Sequence, residues 1–205
     1  MKMSKGFWAI VLITFILLED QAIKIWIKTH VPLYKDIYIT HWFHICFIEN
    51  NGMAMGIEIT AKLFLSIFRI IVSTGIACYL YRLVKRNFEL GYILCISMIF
   101  AGAIGNIIDS IFYGVIFSNS TSQIVSTLFP FKGYATWLHG KVVDMFYMPF
   151  FKFSLPTWIP FVGGDEFIFF RYIFNLADVS VCTGIAILLC FYRNTFYTSF
   201  EKNLS

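Results

Sequence analysis

The sequence predicts an all-α membrane protein, four transmembrane helices carrying a small β-rich, aromatic cap on the outer face. Three observations predict it. Of 205 residues, 59% are hydrophobic and 14% charged, against about 45–50% apolar and about 25% charged in a soluble domain. Four stretches are apolar enough to cross ~30 Å of hydrocarbon, which takes about 20 helical residues. Lysines and arginines in the short connections fall on one side of those stretches. The length fits a single membrane domain over residues 1–205.

The expected spans fall at about residues 7–27, 63–81, 90–108 and 175–192, leaving outer segments 28–62 and 109–174. Lys2 and Lys5 ahead of the first stretch could mark a cleavable leader. That stretch runs into Leu18-Glu19-Asp20-Gln21 without an A-x-A pattern, so it reads as a retained helix. Lys2 and Lys5, then Arg82, Lys85 and Arg86, then Arg193 and Lys202 all lie on one side of a four-span bundle. That side is cytoplasmic by the positive-inside rule, and both termini share it.

The outer segments are rich in aromatic and β-branched residues. Residues 37–48, IYITHWFHICFI, read as a strand, and Asn51-Gly52 as a turn. Aromatics such as Phe112, Trp137, Phe146, Tyr147 and Phe150 suit a membrane–water interface. No internal repeat or low-complexity linker is evident.

Several chemistries find no support. The net charge of +4 is small and scattered, which argues against nucleic acid. Cys46, Cys78, Cys95, Cys182 and Cys190 lack the spacing of a disulfide framework or zinc site and read as packing residues. His30, His41, His44 and His139 belong to no HExxH, so no metal is expected. His41 and His44, three apart, would lie on opposite faces of one strand. No GxSxG, P-loop or GxGxxG is present. Methionines such as Met98, Met145 and Met148 read as packing.

Charges inside spans are costly and usually face a partner, a cavity or the bundle interior. Asp20 and Lys24 lie four apart in the outer part of the first span and can pair. Arg69 lies about two turns below Lys62, and its stem could snorkel to the outer interface. Asp109 ends the third span, Asp178 sits one turn into the fourth, and Asp144 lies in the outer segment. Four acids thus share one depth, with Asn106 and Asn175 nearby. Such a cluster fits either an acid-based active site or the ion path of a polytopic transporter or channel.

Read in order, the short motifs resemble one family, the bacterial lipoprotein signal peptidases (signal peptidase II). Asp20-Gln21-Ala22-Ile23-Lys24 is similar to that family's DQxxK. The segment from Glu49 to Gly56, with Asn50 and Gly52, resembles its N-x-G-A-A-F. The run from Gly102 through Asn106 to Asp109 is similar to its G-A-x-G-N-x-x-D. Val142-Val143-Asp144 resembles the V-V-D, and Phe174-Asn175-Leu176-Ala177-Asp178 the F-N-x-A-D, that carry the two catalytic aspartates.

The resemblance implies an intramembrane aspartic endopeptidase with Asp144 and Asp178 as the pair. Asp20, Lys24, Asn50, Gly52, Gly102, Asn106, Asp109, Asn175 and Ala177 would support the site or hold substrate. It implies diacylglyceryl-modified prolipoproteins as substrate, membrane lipid as surroundings and no cofactor. It also implies the bacterial cytoplasmic (inner) membrane, with the active site near the periplasmic face; the sequence leaves the oligomeric state open, with a monomer the expectation.

Three departures stand out. Ser110 follows Asp109 where the family usually has arginine, and Arg171 and Lys141 are candidates to supply that charge. The stretches on either side of Asp144 are longer than in compact members. Met53 and Met55 replace small and aromatic residues of A-A-F.

Overall fold

The structure, a computed structural model, describes residues 3–50, 59–158, 160–161 and 163–204, of which 59–61 and 200–204 are described by backbone alone. Gly52, Met53, Met55 and the expected Asn51-Gly52 turn lie outside the described residues.

Helix α1 (Lys5–His30) opens on Ser4, whose hydroxyl accepts from the Phe7 N–H at 3.1 Å, satisfying one of the amides a helix start leaves unpaired. It stops at Val31, extended ahead of Pro32 as residues before proline tend to be. Strands β1 (Asp36–Thr40) and β2 (Phe43–Asn50) follow, then helices α2 (Ile59–Lys85) and α3 (Leu90–Ile116). After a long connection come β3 (Val142–Tyr147), the hairpin of β4 (Phe151–Ser154) and β5 (Glu166–Phe169), and β6 (Ile173–Phe174). Helices α4 (Leu176–Phe191) and α5 (Arg193–Leu204) complete the chain.

Four helices stand where the four spans were expected. Among the described residues, α2 over Lys62–Lys85 and α3 are long and apolar enough to cross a membrane. The pair α4 and α5 makes a third if taken as one span bent by 91°. α1 is longer than a span requires, but Glu19, Asp20, Lys24 and Lys28 crowd its second half. The separate helix α5 was not expected; it packs back on the bundle, where Ser199 Oγ meets the hydroxyls of Tyr79 at 2.5 Å and Tyr92 at 3.2 Å.

α3 is the central helix, packed against α1, α2 and α4. Half of its apolar stretch is buried within the protein, against 17% for α2, whose Phe64, Phe68 and Ile71 stay exposed. Close packing of α3 on α4 and α1 depends on two glycines. An added Cβ at Gly102 would lie 2.3 Å from the Ala177 carbonyl oxygen, and one at Gly105 would lie 2.7 Å from Asp20 Oδ2.

The strands form a four-stranded antiparallel sheet, in the order β1-β2-β3-β6, and the separate β4–β5 hairpin. The single strand expected over 37–48 is therefore two. Thr40 pairs with Phe43 across a two-residue turn, His41-Trp42, and His44 stands opposite Tyr38. His41 and His44 do not share a strand. No Gly, Pro, Asn or Asp marked that turn in the sequence.

Two apolar cores flank a polar layer. One gathers Ala9, Leu80, Leu83, Tyr92, Ile93 and Leu188. The other gathers Ile27, Phe47, Tyr113, Phe117, Val143 and Met145 where the sheet meets the helices. On α1, Asp20 and Lys24 fall between Ala9 and Ile27; on α3, Asn106 and Asp109 fall between Ile93 and Tyr113.

Candidate active site

The polar layer holds two pairs of carboxyl groups. Asp20 and Asp109, both buried, share the ammonium of the fully buried Lys24, each at 2.9 Å. The third Lys24 hydrogen bond goes to Asn106 Oδ1, also at 2.9 Å. Gln21 donates to Asp20 Oδ2 and Asp109 Oδ1, each at 3.0 Å, and accepts from the Tyr113 hydroxyl at 3.1 Å. The expected Asp20–Lys24 pair is thus present, inside a larger cluster.

That cluster reaches the backbone next to the other two aspartates. Asp109 Oδ2 accepts from the Val143 N–H at 3.3 Å, and Asp20 Oδ1 accepts from the Ala177 N–H at 3.0 Å. Each braced amide belongs to the residue immediately before Asp144 or Asp178. β3 and the start of α4 are thereby fastened to α3 and α1 within one peptide unit of each carboxyl.

Asp144 and Asp178 are held by amides. Asp144 Oδ1 accepts from Asn175 Nδ2 at 2.6 Å and Oδ2 from Asn50 Nδ2 at 3.1 Å. Asp178 Oδ1 accepts from Asn106 Nδ2 at 2.9 Å, and Oδ2 from the Asn175 N–H at 3.2 Å. Asn175 also caps α4, its Oδ1 accepting from the Asp178 N–H at 3.0 Å, and donates to Asn106 Oδ1 at 3.1 Å. It is both helix cap and bridge between the carboxyls. Burial pushes the Asp144 carboxyl up to about 7; the Asn50 hydrogen bond opposes this, the charge of Asp178 adds to it, and Asn175 opposes it further.

The structure therefore brings together Asp144, Asp178, Asn50, Asn106 and Asn175, with Asp20, Lys24, Asp109, Gly102 and Ala177 behind them. Gly52 lies outside the described residues. The two cations considered as replacements for the arginine absent at Ser110 stand elsewhere. Lys141 pairs with Glu49 at 2.8 Å, and Arg171 is exposed beside the hairpin. Arg69 turns inward instead of snorkelling outward: its Nη1 donates to Ser110 Oγ at 3.2 Å. The signal for this lay in spacing. Ser66, Arg69 and Ser73 are three and four apart, hence on one helix face, and both serines are buried. Gln21 was also missed as a site residue, although it lay inside a recognised motif.

A groove of about 1090 Å³ opens beside Asn50, between the end of β2 and the segment Glu166 to Ile173; neither aspartate lines it.

Paired carboxyls oriented by amides, set among apolar helices, define a membrane protein of the paired-aspartate class. The comparisons make this specific. The family model described as signal peptidase (SPase) II matches residues 12–193. A lipoprotein signal peptidase of Porphyromonas gingivalis is 51% identical over 197 residues, covering 95% of this chain and 86% of that protein. One from Amoebophilus asiaticus is 33% identical, covering 89% and 75%. A bacterial membrane enzyme solved by the in meso method at 1.9 Å resolution has a TM-score of 0.60 and 26% identity, covering 89% of this chain and 90% of that one. This chain belongs to the signal peptidase II family.

Proposed function

We propose that this protein is an aspartic endopeptidase that removes signal peptides from prolipoproteins, with Asp144 and Asp178 as its catalytic pair. Family membership supports the activity. The observation that carries the residue assignment is the bridge made by Asn175, which binds both carboxyls and sets them side by side.

Two neighbouring carboxyls resist double ionisation and retain a shared proton. The ionised member takes a proton from water as the water oxygen attacks the scissile carbonyl carbon. Its partner gives a proton to the carbonyl oxygen. Collapse of the resulting gem-diol breaks the C–N bond: one of its hydroxyls returns a proton to the partner carboxylate as the C=O bond re-forms, and the proton first taken from water passes to the leaving amine. The pair ends as it began, sharing one proton, and titrates as a unit. Asn50, Asn106 and Asn175 orient the carboxyls without neutralising them.

The substrate is a prolipoprotein bearing a diacylglyceryl-modified cysteine, cleaved on the amino side of that cysteine. α1 to α4 cross the bacterial cytoplasmic membrane as four spans of a monomer, with both termini cytoplasmic and the sheet at the periplasmic surface. The distribution of Lys and Arg supports this orientation. Cleavage of a lipidated prolipoprotein peptide, in detergent, tests the reading. Wild type should cleave while Asp144→Asn and Asp178→Asn fold normally and do not. Wild-type rates in either variant would remove that residue from the pair.

A further inference from the structure

Arg69 is a charged residue in an apolar helix. It lies in the span Lys62–Lys85, a stretch only 17% buried within the protein. Its outer neighbours Phe64, Phe68 and Ile71 are exposed. The guanidinium nevertheless turns inward to the buried Ser110, which in turn donates to the Asn106 carbonyl oxygen at 2.9 Å. Asn106 is the residue that holds Asp178.

The acids of the layer it turns toward are Asp109, Asp144 and Asp178. Among the described residues it forms no ion pair with any of them, and Ser110 is its one hydrogen-bond partner. A guanidinium carries five N–H donors and stays protonated, so most of its donors are uncommitted. Lys24, the other cation close to the pair, has spent all three of its donors on Asp20, Asp109 and Asn106.

A substrate peptide drawn into this layer brings backbone carbonyls that need donors, since water is scarce there. We propose that Arg69 supplies them: its free N–H groups bind the carbonyl oxygen of the scissile peptide bond beside Asp178, orienting it for attack and offsetting the negative charge that builds on it. This rests on the assignment of Asp144 and Asp178 as the catalytic pair. The role is one of transition-state binding, so its loss should appear mainly in kcat.

The test uses the full-length protein in detergent and a peptide carrying a diacylglyceryl-modified cysteine. Arg69→Gln and Arg69→Ala should lower kcat/KM by about 10²-fold, the range for removing one preorganised donor at a reacting oxygen. Arg69→Lys, which keeps a point charge but loses the planar fork, should lose about tenfold. Ethylguanidinium in the buffer should raise the rate of Arg69→Ala at least about tenfold and leave Asp178→Asn inactive. That is a response to the missing group itself, which a packing role does not give.

Arg69→Gln cleaving within about threefold of wild type would overturn the proposal. So would an activity loss that follows thermal stability and ignores ethylguanidinium. Asp144→Asn and Asp178→Asn separate the two readings. If they are inactive while Arg69→Gln is not, Arg69 alone is misassigned; if they cleave normally, the pair is wrong and Arg69 loses its target.

Discussion

The molecule holds two pairs of carboxyl groups in one polar layer, and their partners differ in kind. Asp20 and Asp109 share a buried ammonium, Lys24. Asp144 and Asp178 are met by asparagine amides and a backbone N–H, and among the described residues neither touches a cation. An amide orients a carboxyl but cannot cancel its charge, and burial pushes the Asp144 carboxyl up to about 7. On the proposed assignment, one pair holds the structure and the other exchanges protons.

The largest effect should come from removing the ammonium. Lys24→Met leaves Asp20 and Asp109 buried without a counter-charge, and breaking a buried ion pair costs about 3–5 kcal/mol. Thermal unfolding in detergent should register that loss, and Asp144→Asn should show none of it. Equal destabilisation by the two variants would erase the distinction between the pairs.

Glu49→Gln should cost less than Lys24→Met. Glu49 pairs with Lys28 and Lys141, but Lys28 also has Ser120 at 3.1 Å and the ring faces of Phe47, Phe117 and Tyr134, which retain a cation. Burial would raise the Glu49 carboxyl pKa, yet the two lysines hold it below the ordinary value. A depressed carboxyl stabilises the fold above its unfolded pKa, near 4.5, and loses that contribution as pH falls through the folded value. Acid unfolding should therefore be blunted in Glu49→Gln.

Asp144 has the opposite sign. Its folded pKa of about 7 lies above the ordinary 3.8, so its contribution to stability is present below that ordinary value and disappears as pH rises through about 7. The cleavage rate should fall over the same upper range, as the pair loses its shared proton.

The smallest shift sharpens this further. Asn50→Ala removes a donor that favours the ionised form. A hydrogen bond to a charged group is worth about 1.5–3 kcal/mol, and about 1.4 kcal/mol is one pKa unit. The basic limb of the pH–rate profile should thus move upward by about one unit, and a downward move would contradict the role given to Asn50.

Much of this site could be read along the chain because its residues sit in short runs with local meaning. Asn175 and Asp178 are three apart, the spacing of a helix cap, and Asp20 and Lys24 are four apart, the spacing of a helical ion pair. What escaped were features set by orientation or by long-range contact. Arg69 has a position along α2 that sequence gives and a direction that only packing against Ser110 decides. Lys141 was considered for the site, but β2–β3 register places it beside Glu49 instead. The His41-Trp42 turn lacked turn residues because the antiparallel pairing on either side closes it. α5 escaped because its polar composition gives no span, while Ser199 docks it on the tyrosines of α2 and α3.

The bolts at Val143 and Ala177 have an evolutionary consequence. Because Asp109 and Asp20 grip the backbone one residue ahead of Asp144 and Asp178, the geometry of the pair is insulated from the lengths of the loops that join them. Consecutive Cα atoms lie about 3.8 Å apart, too short a lever for a distant insertion to swing either group. The connections before β3 and around the β4–β5 hairpin are thus free to lengthen, shorten or acquire new surface. A lineage can remodel the surface these connections present while the paired carboxyls stay in register.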